Sequence, residues 1–326
     1  AATGPITVTG ILSVLGVGAT EARGRSGRYV VGDNATIAFD SLGGLYEILS
    51  TDAIAATGGA DHITLGARDT TADLGYQVVV GGMDADTILV REGSRSEDVL
   101  IGDNVHYLRK ALGYGEMSIA SINADKGGDD LITTGRGIKT VIGGAGADTL
   151  RLNTVHEAGK TERSVVLGDS GTLTYDLGGA GHLTRIESTS TGFGGNDSLT
   201  IGDGGLIYVG GYGRDALAVN STRAEFRVAV GDNALLQFGG EGRAEDLVFL
   251  QTLDQGSVTG DNDTFQIGVA GDTVSNMGTA ILVGGMGADT LRVAGERADV
   301  VIAGDNAELT RNRDSGHIVS LTSLAL

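Results

Sequence analysis

The sequence predicts an all-β fold, a parallel β-solenoid of about 13 coils in four repeats of about 68 residues. The first observation is an aliphatic run that ends in Gly-Asp-Asn or Gly-Asp-Ser and recurs at intervals of 70, 66, 63 and 73 residues. The second is the composition, with 56 glycines and one proline, because the glycines occupy fixed turn positions. The third is the length of the apolar segments between turns, four or five residues, which suits strands and is too short for helices.

Three kinds of acidic turn follow one another in a constant order. The Gly-Asp-Asn/Ser turns contain Asp33, Asp103, Asp169, Asp232 and Asp305. The short Gly/Asp turns contain Asp61, Asp129, Asp130, Asp197, Asp261 and Asp263. The long turns, residues 81–86, 143–148, 210–215 and 284–289, contain Asp84, Asp86, Asp148, Asp215 and Asp289. In a solenoid these turns are expected to stack along one edge, with irregular loops on the opposite edge.

The repeats define the domain organisation. They begin near residues 32, 102, 168 and 231, with a partial repeat from 304, so residues 32–326 form the repeat region. Residues 1–31 are interpreted as a degenerate first repeat or an N-terminal cap, because residues 11–28 contain no aspartate. After each Gly-Asp-Asn turn an alternating pattern predicts an inserted β-hairpin, such as residues 35–40 with 45–50. The two ends echo adjacent parts of one repeat, which leaves two interpretations open: a unit of a longer repeat protein, or chains that stack head-to-tail into a filament.

Charge and composition limit the classes of partner that the chain is expected to bind. The formal net charge is −19, which disfavours nucleic acid and anionic membranes and attracts cations. No run of apolar residues is long enough to span a bilayer, so membrane insertion is not expected. Aspartates stacked at strand spacing would repel one another unless a cation neutralised them. Calcium accepts carboxylate and backbone carbonyl oxygens, and the absence of cysteine with only five scattered histidines disfavours zinc or copper.

Three segments resemble the repeat motif of a known family. Residues 143–151, Gly-Gly-Ala-Gly-Ala-Asp-Thr-Leu-Arg, match the nonapeptide G-G-x-G-x-D-x-U-x of the repeats-in-toxin (RTX) calcium-binding family, and residues 210–218 and 284–292 match as well. The resemblance implies a right-handed parallel β-roll in which calcium is held by turn carbonyls and aspartates. The implied ligands in these three turns are Gly143, Gly146, Asp148, Gly210, Gly213, Asp215, Gly284, Gly287 and Asp289. Asp86 follows from the same motif, although Asp84 replaces its third glycine.

Catalytic signatures are absent from the sequence. Lys160 stands where a metalloprotease motif starting at His156 would need its second histidine, and aspartate pairs recur in every repeat, whereas an enzyme needs one site. The expected function is therefore a non-catalytic, calcium-binding structural protein outside the cell or on its surface: a shaft, adhesin or matrix-filament segment that folds on binding Ca²⁺. Two alternatives stay open: a calcium-binding auxiliary module of a secreted enzyme or toxin, and a solenoid that binds or cleaves carbohydrate, with surface or matrix glycans as partners.

Overall fold

The computed structural model describes residues 6–9, 13–20, 26–40, 44–52, 58–66, 73–91, 95–109, 116–155, 163–176, 182–239, 246–254 and 260–324. The loop with His156 and Lys160 lies outside these residues. Within them every named element is a β-strand, so the expected all-β class is confirmed. No helix in this part of the chain has the length and hydropathy of a membrane span.

The first fifteen strands are β1 (Ile6–Thr9), β2 (Ser13–Thr20), β3 (Ser26–Val31), β4 (Ala35–Phe39), β5 (Leu45–Ser50), β6 (His62–Leu65), β7 (Asp73–Val80), β8 (Thr87–Val90), β9 (Arg95–Ile101), β10 (Val105–Arg109), β11 (Glu116–Ser121), β12 (Leu131–Thr134), β13 (Lys139–Ile142), β14 (Thr149–Leu152) and β15 (Arg163–Leu167). The others are β16 (Gly171–Asp176), β17 (His182–Ser188), β18 (Ser198–Ile201), β19 (Gly205–Gly211), β20 (Ala216–Val219), β21 (Glu225–Asp232), β22 (Ala234–Phe238), β23 (Leu247–Thr252), β24 (Thr264–Ile267), β25 (Asn276–Gly285), β26 (Thr290–Val293), β27 (Arg297–Asp305), β28 (Ala307–Arg311) and β29 (Ile318–Ser323).

Nine strands form an outer parallel sheet in the order β1-β6-β8-β12-β14-β18-β20-β24-β26. All neighbours from β6 onward are parallel, and only β1 runs antiparallel to β6. Side chains alternate along these strands: in β18, Leu199 and Ile201 are buried whereas Ser198 and Thr200 are exposed. One face of this sheet therefore covers the core and the other faces solvent.

Ten strands form a central parallel sheet in the order β2-β3-β7-β9-β13-β15-β19-β21-β25-β27, parallel throughout except for β2 against β3. Its middle strands contain continuous apolar runs without alternation, such as Val78–Val80 and Val165–Leu167, as strands buried on both faces do. In β19, for example, every residue is buried. One face packs on the outer sheet through residues such as Val79 and Leu100, and the other packs through residues such as Val78 on a third layer.

The third layer is a continuous antiparallel sheet in the order β29-β28-β23-β22-β17-β16-β11-β10-β5-β4. The predicted hairpins are its antiparallel pairs, such as β4 with β5 and β10 with β11. Each pair also joins the next, for example β5 with β10 and β11 with β16. The hairpins are therefore not separate insertions on an edge but one sheet that covers the central sheet.

The predicted number of about 13 coils is not supported. Between a Gly-Asp-Asn turn and the following short turn the chain forms two strands of the antiparallel sheet, such as β10 and β11, rather than a further coil. The repeat that begins near residue 102 consequently adds only β12 and β14 to the outer sheet and β13 and β15 to the central sheet. The count was too high because the antiparallel strands are about as short as the parallel ones.

Candidate cation site at the acidic turns

Eight aspartates form a continuous row, here called the aspartate ladder. Each is the residue immediately before a strand of the outer sheet from β6 to β26. The members are Asp61, Asp86, Asp130, Asp148, Asp197, Asp215, Asp263 and Asp289. The backbone N–H of each donates to Oδ1 of the next member, with N···Oδ1 distances from 2.6 Å at the first step to 2.9 Å at the last. The parallel register of the outer sheet therefore places the predicted short-turn and long-turn aspartates in one line.

The second carboxylate oxygen of every ladder residue, Oδ2, is buried and has no hydrogen-bond partner. Each Oδ2 approaches a glycine at the end of a central strand. A Cβ atom on Gly81 would lie 2.2 Å from Oδ2 of Asp86 and 2.3 Å from the carbonyl oxygen of Gly102, so no larger residue fits there. The ladder thus combines unsatisfied carboxylate oxygens with nearby backbone carbonyls, which are the oxygen donors that Ca²⁺ accepts.

Burial makes these carboxylates hard to ionise in the absence of a cation. Loss of hydration, together with the charges of neighbouring carboxylates, raises the pKa of Asp86 to about 8 and that of Asp130 to about 10. Burial is also the main cause that raises the pKa of Asp197 to about 7 and that of Asp263 to about 8. The pKa of Asp148 lies well above its usual range, through burial and the charges of adjacent ladder residues. A bound divalent cation would favour the charged form of all of them.

The aspartates of the Gly-Asp-Asn/Ser turns have a different role, and we call four of them the turn staples: Asp33, Asp103, Asp169 and Asp232. Oδ1 of Asp33 accepts the N–H of Gly59 in a short turn at 3.1 Å, and its Oδ2 accepts the N–H of Met83 in a long turn at 2.5 Å. The carboxylate of Asp33 therefore joins a short turn to a long turn. Because both oxygens already accept backbone hydrogen bonds, this aspartate has less capacity to bind a cation than the ladder residues.

The same arrangement repeats at the next two staples. Asp103 accepts from Gly128 at 3.3 Å and from Ala145 at 2.5 Å, and Asp169 accepts from Gly195 at 3.0 Å and from Tyr212. At Asp232, Oδ2 accepts from Met286, whereas Oδ1 is buried without a partner. Burial raises the pKa of Asp33 to about 6, that of Asp103 to about 9 and that of Asp232 to about 9.

The other predicted aspartates lie at the exposed rim of the turns. Asp129 is exposed, and its Oδ1 accepts the N–H of Ala147 at 2.8 Å. Asp261 is exposed and lies 3.5 Å from the guanidinium of Arg214. Asp305, in the last Gly-Asp-Asn turn, is exposed as well. The structure therefore does not group these side chains with the buried ladder oxygens.

The backbone conformation explains why the long turns have glycine at their fourth position. Gly146, Gly213 and Gly287 have φ angles of 111°, 111° and 123°, in the left-handed region that glycine tolerates best. Asp84 takes the equivalent place with φ of 68°, which aspartate adopts more readily than most residues. Its side chain is exposed. The departure from the nonapeptide at Asp84 therefore preserves the shape of the turn.

Sequence reasoning missed two aspartates that hold the Gly-Asp-Asn turns. Oδ2 of Asp52 accepts the backbone N–H of Asn34 at 2.8 Å, and its Oδ1 accepts the side-chain amide at 2.8 Å. Asp254 holds Asn233 in the same way, at 2.9 and 3.0 Å. Each lies two residues after the second strand of its hairpin, and that common position was the available signal.

No three acidic or histidine side chains in the described ranges converge into a compact metal centre. A cation at the ladder would therefore depend on backbone carbonyls as well as on carboxylates, as the glycine contacts allow. No protein-family model, curated protein or solved structure matches the chain.

Proposed function

We propose that this chain is a calcium-dependent structural protein, a non-catalytic shaft, adhesin or matrix segment that works outside the cell. Its ladder carboxylates and the adjacent glycine carbonyls hold Ca²⁺. The observation that carries the proposal is the row of eight buried Oδ2 atoms without hydrogen-bond partners. A buried carboxylate without a partner is costly, and a cation is the neutralising group that the surrounding oxygens suit.

The proposed overall form is a right-handed β-solenoid. What supports it is the path of the chain, which passes alternately between the outer and the central sheet, as in β6, β7, β8 and β9. Connections between parallel strands are right-handed in nearly all proteins, which gives the hand. Each repeat then contributes two coils, and every second coil carries a hairpin of the antiparallel sheet.

Calcium acts in this proposal as a folding ligand. An ion that binds only the folded chain stabilises it in proportion to the logarithm of its concentration relative to its dissociation constant. Extracellular calcium modules have dissociation constants of about 10⁻⁴ to 10⁻³ M, so ladder sites of this class would be empty in the cytosol and filled outside. The chain would be weakly folded before export and rigid afterwards.

A calcium titration of chelated protein at neutral pH tests the proposal, with circular dichroism and urea unfolding as readouts and magnesium as the control ion. We expect calcium, and not magnesium at the same concentration, to raise the free energy of unfolding, with several ions bound per chain by equilibrium dialysis. Equal stability in calcium and in excess chelator would refute the proposal.

Variants separate ladder binding from nonspecific attraction to an acidic protein. The double variant Asp130→Asn, Asp148→Asn removes two ladder charges and should lower the number of bound ions. The control is Asp125→Asn, which removes the charge of an exposed aspartate paired with Lys126 at 2.8 Å. If both proteins bind as many ions as the wild type, the ladder is not the site.

A further inference from the structure

Tyr208 is a polar exception in an otherwise apolar column of the central sheet. In strand register it lies between Val166 and Ala229. The same column continues through Val30, Val79, Leu100, Val141 and Leu282. The Tyr208 side chain is fully buried, and its hydroxyl has no hydrogen-bond partner. Phenylalanine would fill this place without an unsatisfied hydroxyl, so the oxygen needs an explanation.

The Tyr208 side chain lies on the face of the central sheet that packs against the outer sheet, the side on which the aspartate ladder lies. Tyr208 and Gly210 are two residues apart on β19 and so face the same side of the sheet. On that side, a Cβ atom on Gly210 would lie 2.1 Å from Oδ2 of Asp215 and 2.2 Å from the carbonyl oxygen of Gly231. The Tyr208 ring also packs edge-on against Phe265 of the outer sheet, with the ring centroids 5.7 Å apart.

Carboxylates act on the Tyr208 phenol through their charges. They belong to Asp215, Asp197, Asp263 and Asp169, of which the first three are consecutive ladder residues. Burial, followed by these carboxylates, holds the pKa of Tyr208 well above its usual 10. The Tyr208 hydroxyl and the Oδ2 atoms of Asp197, Asp215 and Asp263 are all buried oxygens without a hydrogen-bond partner.

We propose that the hydroxyl of Tyr208 is an additional ligand for a divalent cation held at Asp215 of the ladder, beside the carbonyl of Gly231. This inference rests on the proposed function and adds that one layer of the ladder differs from the others. Calcium sites gain affinity from further oxygen ligands, so this layer is expected to fill first as calcium rises. The other layers have valine, leucine or alanine in the same column and lack this ligand.

Terbium luminescence tests the proposal, because Tb³⁺ replaces Ca²⁺ at oxygen sites and is excited through a tyrosine only when the two are close. Tyr212 lies in the long turn itself, so Tyr212→Phe serves as the parent protein; its backbone N–H to Asp169 is kept. We expect the parent to give tyrosine-sensitised Tb³⁺ emission that Ca²⁺ abolishes. Adding Tyr208→Phe should remove most of this emission and weaken the tightest calcium site about tenfold.

The control is Tyr175→Phe in the same parent. The hydroxyl of Tyr175 lies 3.2 Å from that of Thr140, and the ring belongs to the core between the central and antiparallel sheets, so emission should persist. Unchanged emission after Tyr208→Phe, or bound Tb³⁺ without sensitised emission in the parent, would overturn the role of Tyr208 and leave calcium binding intact. Absence of both Tb³⁺ and Ca²⁺ binding would overturn the proposed function as well.

Discussion

Replacing Asp86 with asparagine should stabilise the calcium-free protein at neutral pH and weaken its response to calcium. The substitution keeps the oxygen that accepts the N–H of Asp61 at 2.6 Å, and the N–H of residue 86 can still donate to Asp130 at 2.7 Å. The new amide N–H takes the place of the unpaired Oδ2, near the carbonyl of Gly102, which can accept from it. The variant therefore removes a buried ionisable group without removing the hydrogen bonds of the ladder.

The magnitude follows from the pKa of Asp86, which burial raises from 3.8 to about 8. Because the folded state holds the proton more tightly than the unfolded state, this group stabilises the fold fully below pH 3.8. That stability is then lost as pH rises through the window up to about 8. At pH 7 the loss spans 7 − 3.8 = 3.2 units, or about 4 kcal/mol. Asparagine does not ionise and avoids this loss.

Urea unfolding in excess chelator, followed by circular dichroism at pH 4 and at pH 7, measures the effect. Asp86→Asn and wild type should have similar stability at pH 4, and the variant should be more stable by up to about 4 kcal/mol at pH 7. Calcium should then stabilise the variant less than the wild type. A variant that is equally destabilised at both pH values would refute the reasoning, because its effect would not depend on the charge.

Three further substitutions test the surrounding structure by urea unfolding. Gly143→Ala should cost about 3 kcal/mol or more, because its Cβ would lie 2.2 Å from Oδ2 of Asp148, whereas Gly304→Ala, with open space around it, should be neutral; equal effects would contradict the close packing. Asp98→Asn should cost about 3 kcal/mol, because it leaves the buried Lys139, 2.8 Å away, without its counter-charge; a stabilised variant would contradict this role. At pH 4, where ionisation of Asp103 contributes little, Asp103→Ala should cost about 2 kcal/mol by leaving two backbone N–H groups unpaired, and the exposed Asp305→Ala should have no effect; an Asp103→Ala protein as stable as wild type would contradict the staple role.

The all-β class, the repeat and the alignment of the acidic turns could be predicted because each leaves a local signal. Glycine and aspartate mark the turns, and short apolar segments mark the strands. The third sheet could not be predicted, because pairing β5 with β10 joins segments of different repeats and depends on contacts that no local pattern records. A signal was present in the central strands, whose continuous apolar runs indicate burial on both faces.

The different roles of the aspartates were also beyond the sequence. Asp103 and Asp130 both follow glycine-rich positions, yet one accepts two backbone N–H groups and the other keeps a buried oxygen without a partner. Asp103 follows the end of a strand of the central sheet, whereas Asp130 precedes the first residue of a strand of the outer sheet. Their different roles depend on this placement. Tyr208 was overlooked for a similar reason, because an aromatic residue within an apolar strand normally indicates core packing.

The staples and the ladder are expected to respond differently to cations and protons. The staples join the turns through hydrogen bonds that need no cation, as Asp33 does with Gly59 and Met83. The ladder carries buried carboxyl groups that either a proton or a cation can neutralise, as the raised pKa of Asp130, about 10, indicates. Protons and calcium should therefore be alternative stabilisers of one topology. Calcium would matter most at neutral and alkaline pH, where protons no longer neutralise all of the ladder, and least in acid.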